Sequence, residues 1–205
     1  MNVHRMTVAT CFSINAKKVT PPLSGRGGGK YVGQSLRVVP IRIITVGKKR
    51  SPGVQMLVEE YIAKLRLHCP VEDVQLRSNP RNARDVKAQI GDEDTAVMNL
   101  VRSDDWVVML DERGQDMDSE QMADLVGDVG NTGVSRLLFC IGGPYGHGLQ
   151  LRARANVSIK LSSMILSHRI ALLVLIEQLY RGKMINFQLY EEWYSFCCLL
   201  CKNSF

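Results

Sequence analysis

Phe139 to Gly148 reads FCIGGPYGHG, with four glycines in positions 142–148 directly after the apolar run Leu137-Leu138-Phe139-Cys140-Ile141. A short apolar run that stops at a glycine cluster reads as a buried strand feeding a loop. Glycine costs conformational entropy, so the cluster marks either tight turns or a ligand lying against the main chain. Spacing alone leaves both open. A Walker-type phosphate loop needs Gly-Lys-Ser/Thr after its glycines, and none is present. The spacing GGPYGHG also fails the dinucleotide fingerprint, which disfavours a nicotinamide oxidoreductase. The nearest basic residues are Arg136 and Arg152, so a ligand with little anionic charge suits the loop.

Outward from this stretch, strands and helices alternate. Leu36–Val46 is β-branched and predicts a first strand; Ser51-Pro52 then opens a helix running to about His68, where Pro70 stops it. Val71–Leu76 predicts a second strand, and Asp85–Val101 a weaker helix containing Gly91. Trp106–Leu110 reads as a buried strand ended by Asp111, and Ser119–Val126 as a helix whose exit Gly127, Gly130 and Gly133 punctuate. Val157–Leu161 predicts a further strand, and His168–Arg181 a helix apolar on nearly every side, hence buried. This order predicts an α/β fold with a mostly parallel sheet flanked by helices. In such sheets ligands bind beyond the carboxyl ends of the strands, which points to Leu110-Asp111, the Gly142-Gly143 loop and residues 161–166.

The charge is uneven. Residues 1–35 carry five Lys/Arg and no acid, whereas residues 36–205 carry 21 Lys/Arg against 20 Asp/Glu. Bulk charge therefore gives the body no nucleic-acid affinity, and any such affinity must come from cations clustered in space. The leader is basic, rich in Ser/Thr, acid-free and closes on Gly/Pro, as expected of an organelle transit peptide; a disordered basic arm is the alternative. Composition does not separate plastid from mitochondrion. The longest uncharged apolar run, Ile170–Ile176, is far too short to cross a bilayer. Six scattered cysteines make no disulfide framework, and the CxxC at Cys198–Cys201 lacks a second pair, so no metal is expected.

Five separated motifs, in order, resemble the RlmH family. They are Ile43-Ile44-Thr45-Val46-Gly47-Lys48, Met109-Leu110-Asp111-Glu112-Arg113-Gly114, Ile141-Gly142-Gly143-Pro144, the run Leu161–Leu166 with His168, and Ile176-Glu177-Gln178-Leu179-Tyr180-Arg181. The resemblance covers about residues 38–181, and GGPYGHG is most similar to the plant branch. It implies a SPOUT-class methyltransferase that uses S-adenosylmethionine to modify a pseudouridine of large-subunit ribosomal RNA. It further implies a C-terminal trefoil knot and a homodimer with cofactor sites near the subunit interface. The family's cofactor pocket maps to Leu110, Gly142 and Leu161, Ser162, Ser163, Met164, Ile165 and Leu166, with Gly143 packing beside it. His168 and Arg181 are the candidates for catalysis or RNA contact, His147 is a candidate to face the nucleotide, and Glu177 is expected to be ion-paired. The chain is expected in an organelle, the chloroplast ahead of the mitochondrion.

The resemblance stops after Arg181. Where the family ends in a short tail with a Tyr-His pair, this chain reads GKMINFQLYEEWYSFCCLLCKNSF. Residues 182–205 are thus a divergent tail. The alternative expectation is a catalytically impaired relative that binds cofactor or RNA without turnover.

Overall fold

Pro40 precedes the first strand in the computed structural model, which describes residues 38–79 and 85–183. Nine elements follow: β1 (Ile41–Gly47), α1 (Pro52–Arg66), β2 (Val71–Arg77), α2 (Val86–Met98), β3 (Asp105–Asp116), α3 (Ser119–Gly130), β4 (Arg136–Ile141), α4 (Leu149–Arg154) and β5 (Val157–Lys160). A tenth, α5, spans residues 168–183. The five strands form one parallel sheet in the order β2-β1-β4-β3-β5.

Alternation along the central strands fills two cores. Ile41 and Ile43 of β1, with Leu137, Phe139 and Ile141 of β4, face α1, α3 and α5. Ile44 and Val46, with Leu138 and Cys140, face α2 and α4. Covering both faces explains why β4 is buried at every position and reads as an unbroken apolar run. At the opposite, amino-terminal end of the sheet, Arg136 donates to both carboxylate oxygens of Asp105, at 2.9 and 2.6 Å, tying β4 to β3.

Several predicted boundaries move for local reasons. β1 begins after Pro40, and α1 ends at Arg66 with Leu67 as its cap. Asp85 caps α2 by accepting from Ala88 N at 2.6 Å. α3 runs on to Gly130, so Gly127 and Gly130 are buried inside it; a capping box at Asp118 and Gln121 starts it, and only Gly133, at φ 78°, punctuates the exit. α4 was not expected, since six residues with one buried Leu151 give no helical period. α5 is not buried all round: Leu172, Leu175, Ile176 and Leu179 face the core, but Ile170 is exposed. β3 runs six residues past Leu110. Both Leu110 and Gln115 sit opposite Ile159, so residues 111–114 loop out between them. No helix among the described residues is long and apolar enough to cross a membrane.

Candidate active site at the strand exits

Because all strands run parallel, their carboxyl ends share one edge of the sheet. Leu110 pairs in register with Ile141 on one side and Ile159 on the other. Adjacent strands lie about 4.8 Å apart, so Leu110, Gly142 and the segment from Leu161 emerge side by side. The three sequence-predicted cofactor segments are thus brought together. The sheet's switch point lies between β1 and β4, where connections leave to opposite faces, the position at which open parallel sheets bind ligands.

The glycine loop owes its bare backbone first to itself. A Cβ on Gly142 would lie 3.0 Å from the carbonyl of Gly146, and one on Gly143 would lie 2.6 Å from Glu93 Oε2. Gly146 N donates to Gly143 O at 3.1 Å and Gly146 adopts φ 83°, closing a tight turn. Glu93 is buried; its Oε1 accepts from Ser78 Oγ, Asn79 N and Gln89 Nε2, while Oε2 has no hydrogen-bond partner and abuts Gly143.

Two side chains join the β3 and β4 exits. His147 Nε2 lies 2.7 Å from the carbonyl oxygen of Leu110. Burial pushes the His147 imidazole below its ordinary range, the Leu110 carbonyl opposing. Arg152 pairs with Asp111 at 2.6 Å and donates to the His147 carbonyl. Burial pushes the Asp111 carboxyl up, yet the Arg113 N–H and Arg152 together hold it below its ordinary value. Rather than standing free toward a nucleotide, His147 is engaged within the loop system.

Residues 161–166 form an irregular segment with bends after β5, exposed at 163–165; Met164 is 73% and Ile165 86% exposed. Met164 N donates to Ser162 Oγ at 3.0 Å. Ser163, Met164 and Ile165 are exposed, and Leu161 faces a cleft of about 260 Å³ with Met117, Ser119, Val174 and Gln178. Lys160, the cation beside this segment, is paired with Asp116. Open main chain without a phosphate-binding lysine fits a neutral adenosine carrying a sulfonium methyl. The cleft alone is smaller than the roughly 300 Å³ at which ordinary ligand pockets begin.

His168 opens α5 with its ring over Gly47, where a Cβ would meet Nε2 at 2.9 Å; Nε2 is buried without a hydrogen-bond partner. Burial, reinforced by Arg169, pushes the His168 imidazole down. Arg181 is not beside it. Thirteen residues along one helix, at 1.5 Å each, separate the two by about 20 Å. Arg181 is held instead by Glu177 at 2.6 and 3.0 Å, near Tyr180, whose ring meets Tyr61 edge-on. Within one chain, His168 and Arg181 cannot touch the same base. The tail after Lys183, with Tyr190, Trp193, Tyr194 and the CxxC, lies outside the described residues. No metal-binding cluster occurs among the described residues.

Comparison with known proteins decides the assignment. The family described as "Predicted SPOUT methyltransferase" matches residues 39–189. The chain belongs to the SPOUT methyltransferase family. Among its relatives is an Arabidopsis thaliana protein provisionally named an RNA methyltransferase, 64% identical over 163 residues, which cover 80% of this chain and 84% of that protein. Ribosomal RNA large subunit methyltransferase H of Clostridium novyi is 32% identical over 71% of this chain and 94% of its own length. The namesake from Citrifermentans bemidjiense is 33% identical over 74% and 98%. The chain thus stands with the RlmH branch of the SPOUT methyltransferases, as its five motifs implied.

Sequence reasoning missed three members of this SPOUT site. Glu93 lies on a helix of weak amphipathic pattern and carried no motif. Asp94, which accepts from Gln150 N and Leu151 N at 2.8 and 3.0 Å and packs against Gly148, was equally silent. Gly114 sits where a Cβ would fall 2.4 Å from the main chain of Ile159. Of the three, only Gly114 lay in a quoted motif, Met109–Gly114, but the strand was expected to end at Asp111, so its close approach to Ile159 was not foreseen.

Proposed function

We propose that this chain transfers a methyl group from S-adenosylmethionine to a base nitrogen of a pseudouridine in large-subunit ribosomal RNA. The carrying observation is the convergence of Leu110, Gly142 and residues 161–166 at adjacent strand exits, in a chain related to ribosomal RNA methyltransferases. The cofactor supplies an electrophilic sulfonium methyl. The protein's task is to place a deprotonated base nitrogen in line with it, and oriented geometry can supply several powers of ten. In this reading the carbonyl of Leu110 and the main chain of Gly142 bind adenosine, Gly143 backs the loop, and amides of 162–166 meet the adenine edge. His168, over Gly47 at the β1 exit, orients the target base.

The reading includes a homodimer, which the exposed Met164, Ile165 and Ile170 support. It includes the family's trefoil knot, with which the close main-chain approach of Gly114 to Ile159 is compatible. The acid-free leader supports organellar residence, the chloroplast first.

Tritium transfer from labelled S-adenosylmethionine to large-subunit RNA from a strain lacking its own enzyme tests the function. Incorporation at a pseudouridine supports it; no incorporation despite cofactor binding supports a second reading. In that reading the divergent residues 182–205 leave a relative that binds without turnover. A version carrying a family-like C-terminus would then recover transfer.

A further inference from the structure

The body of the chain is nearly neutral, so RNA affinity requires cations gathered in one place. They gather at the exits of β1 and β2. Lys48 and Lys49 follow Gly47 directly and are exposed. Arg77, also exposed, is the register partner of Gly47, and Ser78 N donates to Gly47 O at 3.3 Å. Gln75 Nε2 donates to the Lys48 carbonyl at 2.7 Å, pinning that main chain to β2. Arg169, at the start of α5, reaches the Lys49 carbonyl at 3.4 Å. His168 covers Gly47 itself.

Nearby acids are already engaged. Asp73 of β2 is held by both terminal nitrogens of Arg50. Glu93 is buried under Ser78, Asn79 and Gln89. Among the described residues, no carboxylate pairs with Lys48, Lys49, Arg77 or Arg169, whereas Arg42, Lys64, Arg136, Lys160 and Arg181 each have one. Unpaired cations on main chain fixed by hydrogen bonds form a rim for a polyanion, not a self-neutralised surface.

We propose that Lys48, Lys49, Arg77 and Arg169 form the RNA-phosphate rim of the enzyme, beside His168 where it covers Gly47. The inference rests on the proposed RNA substrate and locates where that substrate's backbone lies. A strand held here would run past the β1 exit and present its base toward the β4 and β3 exits. Phosphate contacts of this kind position the substrate and carry no sequence information.

Filter binding of the full chain to a large-subunit RNA fragment between 50 and 200 mM KCl tests the rim. The triple variant Lys48→Gln/Lys49→Gln/Arg77→Gln is compared with Lys64→Gln/Arg66→Gln/Arg102→Gln, which removes equal charge elsewhere. Each lost phosphate contact lowers the slope of log affinity against log salt by about 0.7 to 0.9. The rim variant is expected to lose about two units of slope and at least tenfold in affinity at 100 mM salt. Its affinity for S-adenosylmethionine and its thermal midpoint should match the parent. Equal behaviour of the two triple variants would overturn the rim. A parent chain that binds cofactor but no RNA overturns rim and substrate together, whereas RNA binding lost only in the rim variant, with no methyl transfer by any protein, upholds the rim and sinks the function.

Discussion

His147 Nε2 lies 2.7 Å from the carbonyl oxygen of Leu110, so a side chain from the β4 exit closes on main chain at the β3 exit. A carbonyl only accepts, so Nε2 carries the proton and the tautomer is fixed. The bond aligns two of the three segments assigned to the cofactor before any ligand arrives.

Replacing His147 by Leu should therefore weaken S-adenosylmethionine binding about fivefold, the worth of one hydrogen bond of about 1 kcal/mol. His147→Gln keeps a donor and should recover most of that loss. Titration calorimetry on both variants measures it; parent-like affinity in His147→Leu would show that the tether does not shape the pocket.

Two imidazoles titrate below their ordinary range when folded: His147 through burial against the Leu110 bond, His168 through burial and then Arg169. A depressed histidine pKa means that the unfolded chain binds more protons in the window just below 6.5, so stability rises with pH there. This contribution is complete above about pH 6.5 and is lost as pH falls through the folded values. Urea midpoints between pH 7 and 5 should drop for the parent and drop less for His147→Gln. Equal drops would leave His147 out of the acid response.

The Asp105–Arg136 pair anchors the amino-terminal ends of β3 and β4, with side-chain exposures of 1% and 11%. Asp105→Ala strands a buried guanidinium and should cost about 3–5 kcal/mol, whereas replacing both partners by apolar residues should cost far less. Denaturant unfolding of the single and double variants gives the comparison. A double variant as unstable as the single one would argue that the pair is not the source.

Burial pushes the Cys140 thiol up to about 12 and also raises Cys69. Only thiolate attacks an alkylating reagent, so neither should react at pH 8 in the folded chain. Peptide mapping after iodoacetamide should show both modified only in denaturant. Modification of Cys140 under native conditions would mean that β4 opens readily.

Much of this architecture was legible because its signals are local. Unbroken apolar runs at 106–110 and 137–141 fit strands covered on both faces, and both are such strands. Leu110, Gly142 and residues 161–166 were placed by motif order, and the sheet order β4-β3-β5 makes them neighbours. What escaped depends on contacts distant in sequence. The excursion of residues 111–114 exists because two residues of β3 face one residue of β5. The glycines of the loop exclude side chains partly because Glu93, fifty residues earlier, fills the space beside Gly143. His168 and Arg181 shared a helix in the sequence, and only its length shows that they cannot share a base. Gly142→Val would therefore first distort the turn at Gly146, which makes it a poor probe of ligand space.

The most direct measurement is a crystal structure of the full chain soaked with S-adenosylmethionine. Density for the cofactor should lie against the Leu110 carbonyl, Gly142 and the main chain of residues 161–166. Density elsewhere, such as in the cleft between Glu59, Arg66 and Asp73, would contradict the assignment.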